Sequence, residues 1–240
     1  VLPYCDAVDL NCGCPQRWAI QENIGAQLLQ TKKNIELIVD MLKTYHGCAS
    51  DNDLVPMCVK IRKLQNERKT LDLVKQLEST GLCAWLTVHG RTIHDRSDAV
   101  TVDGDIVRFV KQNVSLPVVF NGDVFNMEQA RQFARYTGVD GVMSARGLLT
   151  NPALFSHNVE LQMDERKARL TSIREFIDIV TEYGDPSLSF TNIHNHIMFM
   201  LNGYETKDKS IVSSSDACEF ADLSSMAGVI DFLTERNLLL

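Results

Sequence analysis

Cys14 stands between Gly13 and Pro15 in the run Asp9-Leu10-Asn11-Cys12-Gly13-Cys14-Pro15-Gln16-Arg17-Trp18. A thiol held between glycine and proline at the end of an apolar run sits on a rigid turn. There it can serve as a nucleophile, a metal ligand or a general acid. Cys12 is two residues away, but no His or further Cys nearby completes a metal-ligand set. Four more polar groups close later apolar runs: Lys60 in Val59-Lys60-Ile61-Arg62, His89 in Val88-His89-Gly90-Arg91-Thr92, Asn121 in Asn121-Gly122-Asp123 and Arg146 in Ala145-Arg146-Gly147. Taken singly these are ordinary. Lys60 alone is equally a solvated strand end, and a lone His such as His89 is more often a hydrogen-bonded structural group. His94, His194 and His196 lack such company and read as structural or surface residues.

The positioning elements follow from periodicity. Residues 7–11, 57–62, 85–89, 117–121 and 141–145 are short, near-continuous apolar runs, the pattern of parallel strands buried on both faces. Amphipathic stretches such as 34–42 and 70–77 lie between them, which gives parallel βα units. Five successive strands ending in polar groups place those groups at the mouth of a (β/α)8 TIM barrel, where loops after the strands converge. A doubly wound sheet competes, but no GxGxxG follows a strand. Five strands are fewer than a closed barrel needs, so the barrel is truncated or the sheet open.

Beyond about residue 155 strand signals vanish. Phe190, Ile193, Ile197, Met198 and Leu201 form one helical stripe. A helix from Arg166 to Tyr183 is ended by Gly184 and Pro186, and a last one follows the capping candidate Ser224. The domain expectation is an α/β catalytic domain over residues 1–155 and a small all-α domain over 156–240.

Net charge is −7, which disfavours a surface coated in nucleic acid but leaves room for local basic clusters. The candidates are Lys32-Lys33, Arg62-Lys63, Arg68-Lys69, Arg91 with Arg96, Arg131 with Arg135, and Arg166-Lys167 with Arg169. No apolar run reaches the roughly 18–20 residues of a membrane span. The opening Val1-Leu2-Pro3 lacks the features of a signal peptide, and the chain opens almost directly on a strand without Met. It is therefore expected to be a fragment. Seven cysteines without a CxxC pair point to a reducing, intracellular compartment.

The Asn11-to-Pro15 segment, followed by Gly25-Ala26-Gln27-Leu28-Leu29, resembles the signature of the tRNA-dihydrouridine synthases. The four later motifs agree with that family in order and spacing. The wording around Cys14 and the Leu223–Ser225 segment are most similar to the eukaryotic branch acting at positions 20a and 20b of the tRNA D-loop. Where the family usually has a Gly, this chain has Asn23, which tolerates positive φ better than most residues. The family also has three earlier strands, with an Ala-Pro-Met flavin contact and a Gln, that do not occur here.

The resemblance implies FMN-dependent reduction of uridine to dihydrouridine in tRNA, with NADPH or NADH as reductant. A cysteine at its ordinary pKa of about 8.5 is mostly protonated at pH 7, which suits Cys14 as proton donor to uracil C5. The resemblance places Lys60 and His89 against the flavin, stabilising negative charge on its reduced ring. It assigns Asn121, Gly122, Asp123, Ala145 and Arg146 to the flavin phosphate region. Asn11, Arg17 and Arg91 are candidate substrate or RNA contacts. Trp18 is a possible base-stacking group, with core packing the favoured reading. The implied protein is a monomer acting on tRNA in the cytoplasm or nucleus, without membrane or metal. An inactive RNA-binding remnant and a different FMN barrel oxidoreductase are the alternatives, and the 240 residues alone are expected to hold FMN weakly.

Overall fold

Each apolar run forms a strand, and helices separate successive strands. The computed structural model describes residues 4–48, 55–184, 188–203 and 210–239. Strands β1 (Val8–Cys12), β2 (Met57–Arg62), β3 (Leu86–His89), β4 (Val118–Asn121) and β5 (Gly141–Met143) form one parallel sheet. Their spatial order is β1-β2-β3-β4-β5. A doubly wound sheet reverses its order at a switch point, whereas consecutive parallel neighbours are the staves of a βα barrel. The fold is α/β of the TIM-barrel type, with five staves among the described residues.

The chain divides into two compact units, Val1–Asp123 with Glu128–Met143, and Val124–Met127 with Ser144–Leu240. In the first unit β1 is followed by α1 (Arg17–Gln21), a 3-10 turn (Gly25–Leu29) and α2 (Lys32–Cys48). The later connections are α3 (Glu67–Ser79), α4 (Gly104–Asn113) and α5 (Met127–Thr137). Side chains cap α3 and α4. Asn66 Oδ1 accepts from the amides of Arg68 and Lys69 at α3, and Asp103 Oδ1 from those of Asp105 and Ile106 at α4. Each such cap is worth about 1 kcal/mol.

Register sorts the strand residues onto two faces. Val59, Ile61, Leu86, Val88, Val118 and Phe120 share one face and are all buried. Phe120 stacks on Phe133 of α5 at 4.3 Å, so this face meets the helices. The other face carries Asp9, Asn11, Cys58, Lys60, Arg62, Thr87, His89 and Asn121. Strands β2, β3 and β4 are buried or half-buried on both faces, as expected of parallel strands, but the second face is polar apart from Val119 and Met143. Chemistry needs one polar face, and short strands near the site are dominated by it.

The second unit holds α6 (Arg146–Thr150), α7 (Val159–Met163), α8 (Glu165–Tyr183), α9 (Phe190–Asn202), α10 (Ser214–Ala221) and α11 (Met226–Glu235). The expected stripe of α9 is its core face. Ile193, Ile197 and Leu201 are buried in one cluster with Ile173, Phe220 and Val229, and Phe190 and Met198 pack against it. Arg169, 1% exposed, donates from Nε and Nη2 to the carbonyls of Met200 and Leu201, satisfying the last turn of α9. His194 is buried, stacked on Phe220 and bonded to its carbonyl. The cap of α11 is Ser225, whose Oγ accepts from the Gly228 amide, and not Ser224 one residue earlier. Ser225 has the extended backbone of a cap, and its hydroxyl reaches the amide three residues on. Gly184 ends α8 as expected, and Pro186 lies outside the described residues. No helix among the described residues is long and apolar enough to cross a membrane.

Candidate functional site

The end of β1 turns on its own polar residue: Asn11 Oδ1 accepts from the Gly13 amide at 3.0 Å. Cys12 and Cys14 then part company. Cys12 is fully buried, and burial, helped by Asp9, pushes its thiol up to about 12, so it is inert at neutral pH. Cys14 is half-buried, with its carbonyl accepting from the Ala26 amide at 2.9 Å. Gly25 makes that contact possible. Its φ is +62°, and a Cβ there would lie 2.7 Å from the Cys14 carbonyl oxygen and 2.8 Å from its Cβ. Asn23 adopts φ +55°, the conformation in which Asn replaces Gly most readily. Arg17 is exposed at the start of α1. Trp18 is 55% exposed and donates to Gln16 Oε1, which overturns the expected core packing. The short α1 buries only Ala19, so a large side chain one position earlier points to solvent.

Across the sheet, Asn11, Lys60 and Thr87 stand in register, as do Arg62, His89 and Asn121 one step nearer the strand ends. A Cβ at Gly13 would be 3.1 Å from Lys60 Nζ, which puts the ammonium beside the peptide leading to Cys14. Burial and the neighbouring Arg62 lower the pKa of Lys60, while Asp9, Cys14 and Cys12 act in the opposite sense. Cys14 also acts on Arg62. Thiol, lysine and arginine thus share one electrostatic neighbourhood.

His89 completes the row. Its Nδ1 lies 2.9 Å from Asn121 Oδ1, and Asn121 Nδ2 donates to the Met143 carbonyl at 3.0 Å. With the amide so oriented, Nδ1 carries the proton and Nε2 is an acceptor. Burial lowers the His89 pKa to about 4; the Asn121 bond opposes this, and Arg62, Lys60 and Arg91 add to it. His89 is therefore neutral at pH 7. In this arrangement Lys60 brings the cation, and neutral His89 presents the Nε2 lone pair. That Nε2 is buried without a hydrogen-bond partner among the described residues.

The loop after β4 is shaped for close approach. Gly122 has φ +129°, and a Cβ there would sit 2.5 Å from Val102 Cγ2 and 3.4 Å from His89 Cε1. Asp123, at φ +51°, accepts from Arg91 Nη2 at 2.6 Å and from the Val102 amide at 2.9 Å. Arg91 is 1% exposed and also donates to the Val100 carbonyl. The expected RNA contact by Arg91 is thereby replaced by an internal ion pair, because a buried guanidinium cannot meet a surface phosphate. Of the other basic candidates, Arg169 is buried, and Lys63 is paired with Asp103 at 2.7 Å.

Arg62, read from the sequence only as a motif residue and part of a basic cluster with Lys63, stands beside Lys60 and His89. Its signal was its position two residues beyond Lys60 on a strand, which puts both on one face. Asp9 and Thr87 share that face for the same reason. Ala145 and Arg146 belong to the second unit, where Arg146 lies over the Phe125 ring at 5.1 Å. Among the described residues no cluster of three or more His, Cys, Asp or Glu could hold a metal ion.

Residues 1–219 match the family model for dihydrouridine synthase. The chain is 38% identical over 236 residues to a human tRNA-dihydrouridine(20a/20b) synthase-like protein whose name carries NAD(P)+, covering 98% of this chain and 67% of that one. The corresponding mouse protein is 37% identical over 236 residues, at 98% and 65% coverage. The Schizosaccharomyces pombe tRNA-dihydrouridine(20a/20b) synthase is 36% identical over 234 residues, at 98% and 64%. The chain thus spans about two-thirds of the length of these curated relatives. A solved mandelate oxidase aligns over 94% of the chain and 70% of its own at 15% identity, but its TM-score of 0.33 is too low to carry an argument.

Proposed function

Because the chain belongs to the dihydrouridine synthase family, we propose that it carries the site of a flavin-dependent reduction of uridine to 5,6-dihydrouridine in tRNA, drawing on NADPH or NADH. The observation that carries the reading is the convergence of a half-buried Cys14, Lys60 and a neutral His89 on one mouth. The residues suit a flavin. The buried acceptor of His89 calls for a hydrogen-bond donor such as a ring N–H, and Lys60 supplies a cation for the electron-rich ring. Bound FMN would supply the hydride for the uracil C5–C6 bond.

The chain's own residues do the rest. The Cys14 thiol gives a proton to C5, and Asn11 and Gly25 hold the loop that aims it. Asn121 keeps His89 in the accepting tautomer. The backbone of the Gly122–Asp123 loop would lie on the cofactor's phosphate side. The exposed Arg17 fits a phosphate contact. A uridine inside folded tRNA must leave its stack to reach such a mouth, and recognition would rest on shape and backbone. The names of the relatives, which act on tRNA and carry NAD(P)+, support the substrate and the reductant. A reducing intracellular compartment fits the free cysteines among the described residues.

The test is Cys14→Ala with saturating FMN and NADPH. Dihydrouridine in tRNA should fall below detection while the flavin dissociation constant stays unchanged. Full activity in the variant, or lost flavin binding, would refute the proton-donor assignment. No product from the unaltered chain would favour the inactive remnant, and reduction of free enones or dihydroorotate without tRNA the other oxidoreductase reading.

A further inference from the structure

Two loops that carry the site are joined by one side chain. Arg62 donates from Nε to the Gly13 carbonyl at 2.8 Å and from Nη1 to the Thr92 carbonyl at 2.8 Å. Gly13 is bonded directly to Cys14. Thr92 follows Arg91, whose Nη2 holds Asp123 at 2.6 Å. Arg62 also stands opposite His89 in register. The loops after β1, β3 and β4 are thus linked through two guanidinium groups.

We propose that Arg62 is a positioning residue: it locks the Gly13–Cys14 peptide to the loop after β3 and so sets the direction of the Cys14 thiol. The inference rests on the reading of Cys14 as proton donor. A carbonyl accepts well from a guanidinium edge, and a planar fork can serve two carbonyls at once in fixed geometry. Without it, the Gly13 peptide keeps the Asn11 contact to its amide but has no side chain gripping its carbonyl, and glycine resists rotation poorly. The Cys14 loop would then sample orientations in which its thiol no longer faces the mouth. Lysine preserves the charge but not the fork, so Arg62→Lys separates geometry from electrostatics.

Iodoacetamide alkylation, followed at the Cys14 peptide in the 240-residue chain, needs neither flavin nor turnover. In Arg62→Lys the Cys14 rate should rise roughly fivefold as one charge-assisted hydrogen bond is lost. With FMN and NADPH saturating, kcat should fall about 100-fold, as a misplaced reacting group does, with KM for tRNA unchanged. Alkylation that is unchanged or slower, or a raised KM at constant kcat, would overturn the proposal. If Arg62→Lys loses its cooperative melt, Arg62→Gln, which keeps one donor, replaces it. Loss of fold in both assigns Arg62 to stability alone and also overturns the proposal. Should Cys14→Ala retain activity while Arg62→Lys still speeds alkylation, the acid reading fails and the positioning role stands.

Discussion

At the scale of residues, the arrangement separates groups that look alike. Cys12 and Cys14 share a motif, but one is a core thiol pushed up to about 12 and the other stands half-open at the mouth. His89 and His194 are both enclosed, yet His194 satisfies itself on the Phe220 carbonyl while His89 keeps a buried acceptor without a partner. The lowered pKa of His89, about 4 in place of 6.5, has a consequence for stability. The unfolded chain binds this proton more readily than the folded one, so acid favours unfolding. The loss begins near pH 6.5 and is complete near pH 4, at a cost on the order of 3 kcal/mol at most. Urea melts between pH 7 and 4 should show this slope and lose it in His89→Gln. An equal slope in the variant would assign it to other groups.

At the scale of elements, the 3-10 turn Gly25–Leu29 is what places Cys14. Its first residue can only be glycine, because a positive φ and a contact under 3 Å coincide there. Gly25→Ala should push the Cys14 carbonyl away and cost roughly 1–3 kcal/mol of stability, together with most of the dihydrouridine formation. Thermal melts and the tRNA assay would read the two effects. Wild-type activity in the variant would show that the turn does not set the thiol. Register adds what single strands cannot. Lys60, Arg62, His89 and Asn121 come from three strands, and only parallel pairing in this alignment makes neighbours of them.

At the scale of the whole molecule, the five parallel strands among the described residues stand in sequential order, and eight strands are needed to close a barrel. A ligand held by five strands of such a wall lacks the contacts of the others. The 240 residues alone should therefore bind FMN weakly, with a dissociation constant above about 10 μM, about 5.5 kcal/mol weaker than a nanomolar site. Titration by flavin fluorescence checks this, and a stoichiometric yellow protein after purification would sink it. The second unit stands on its own apolar cluster around Ile173, Ile197 and Phe220.

Much of this was legible in the residues themselves. Strand and helix positions follow from near-neighbour periodicity, which is why the five strands and the α9 stripe agree with the structure to within a residue or two. The polar strand ends and the Gly-Cys-Pro turn were equally local, so Asn11, Lys60, His89 and Asn121 could be expected near one end of the sheet, where the register puts them. What the sequence could not decide involves partners far apart in the chain. The protonation of His89 depends on Asn121, 32 residues away, and on the burial that packing creates. The grip of Arg62 on Gly13 spans 49 residues, and the withdrawal of Arg91 from the surface depends on Asp123. Trp18 faces solvent because α1 is too short to bury it. Charge, exposure and aim are properties of neighbours in space, and only tertiary pairing supplies those neighbours.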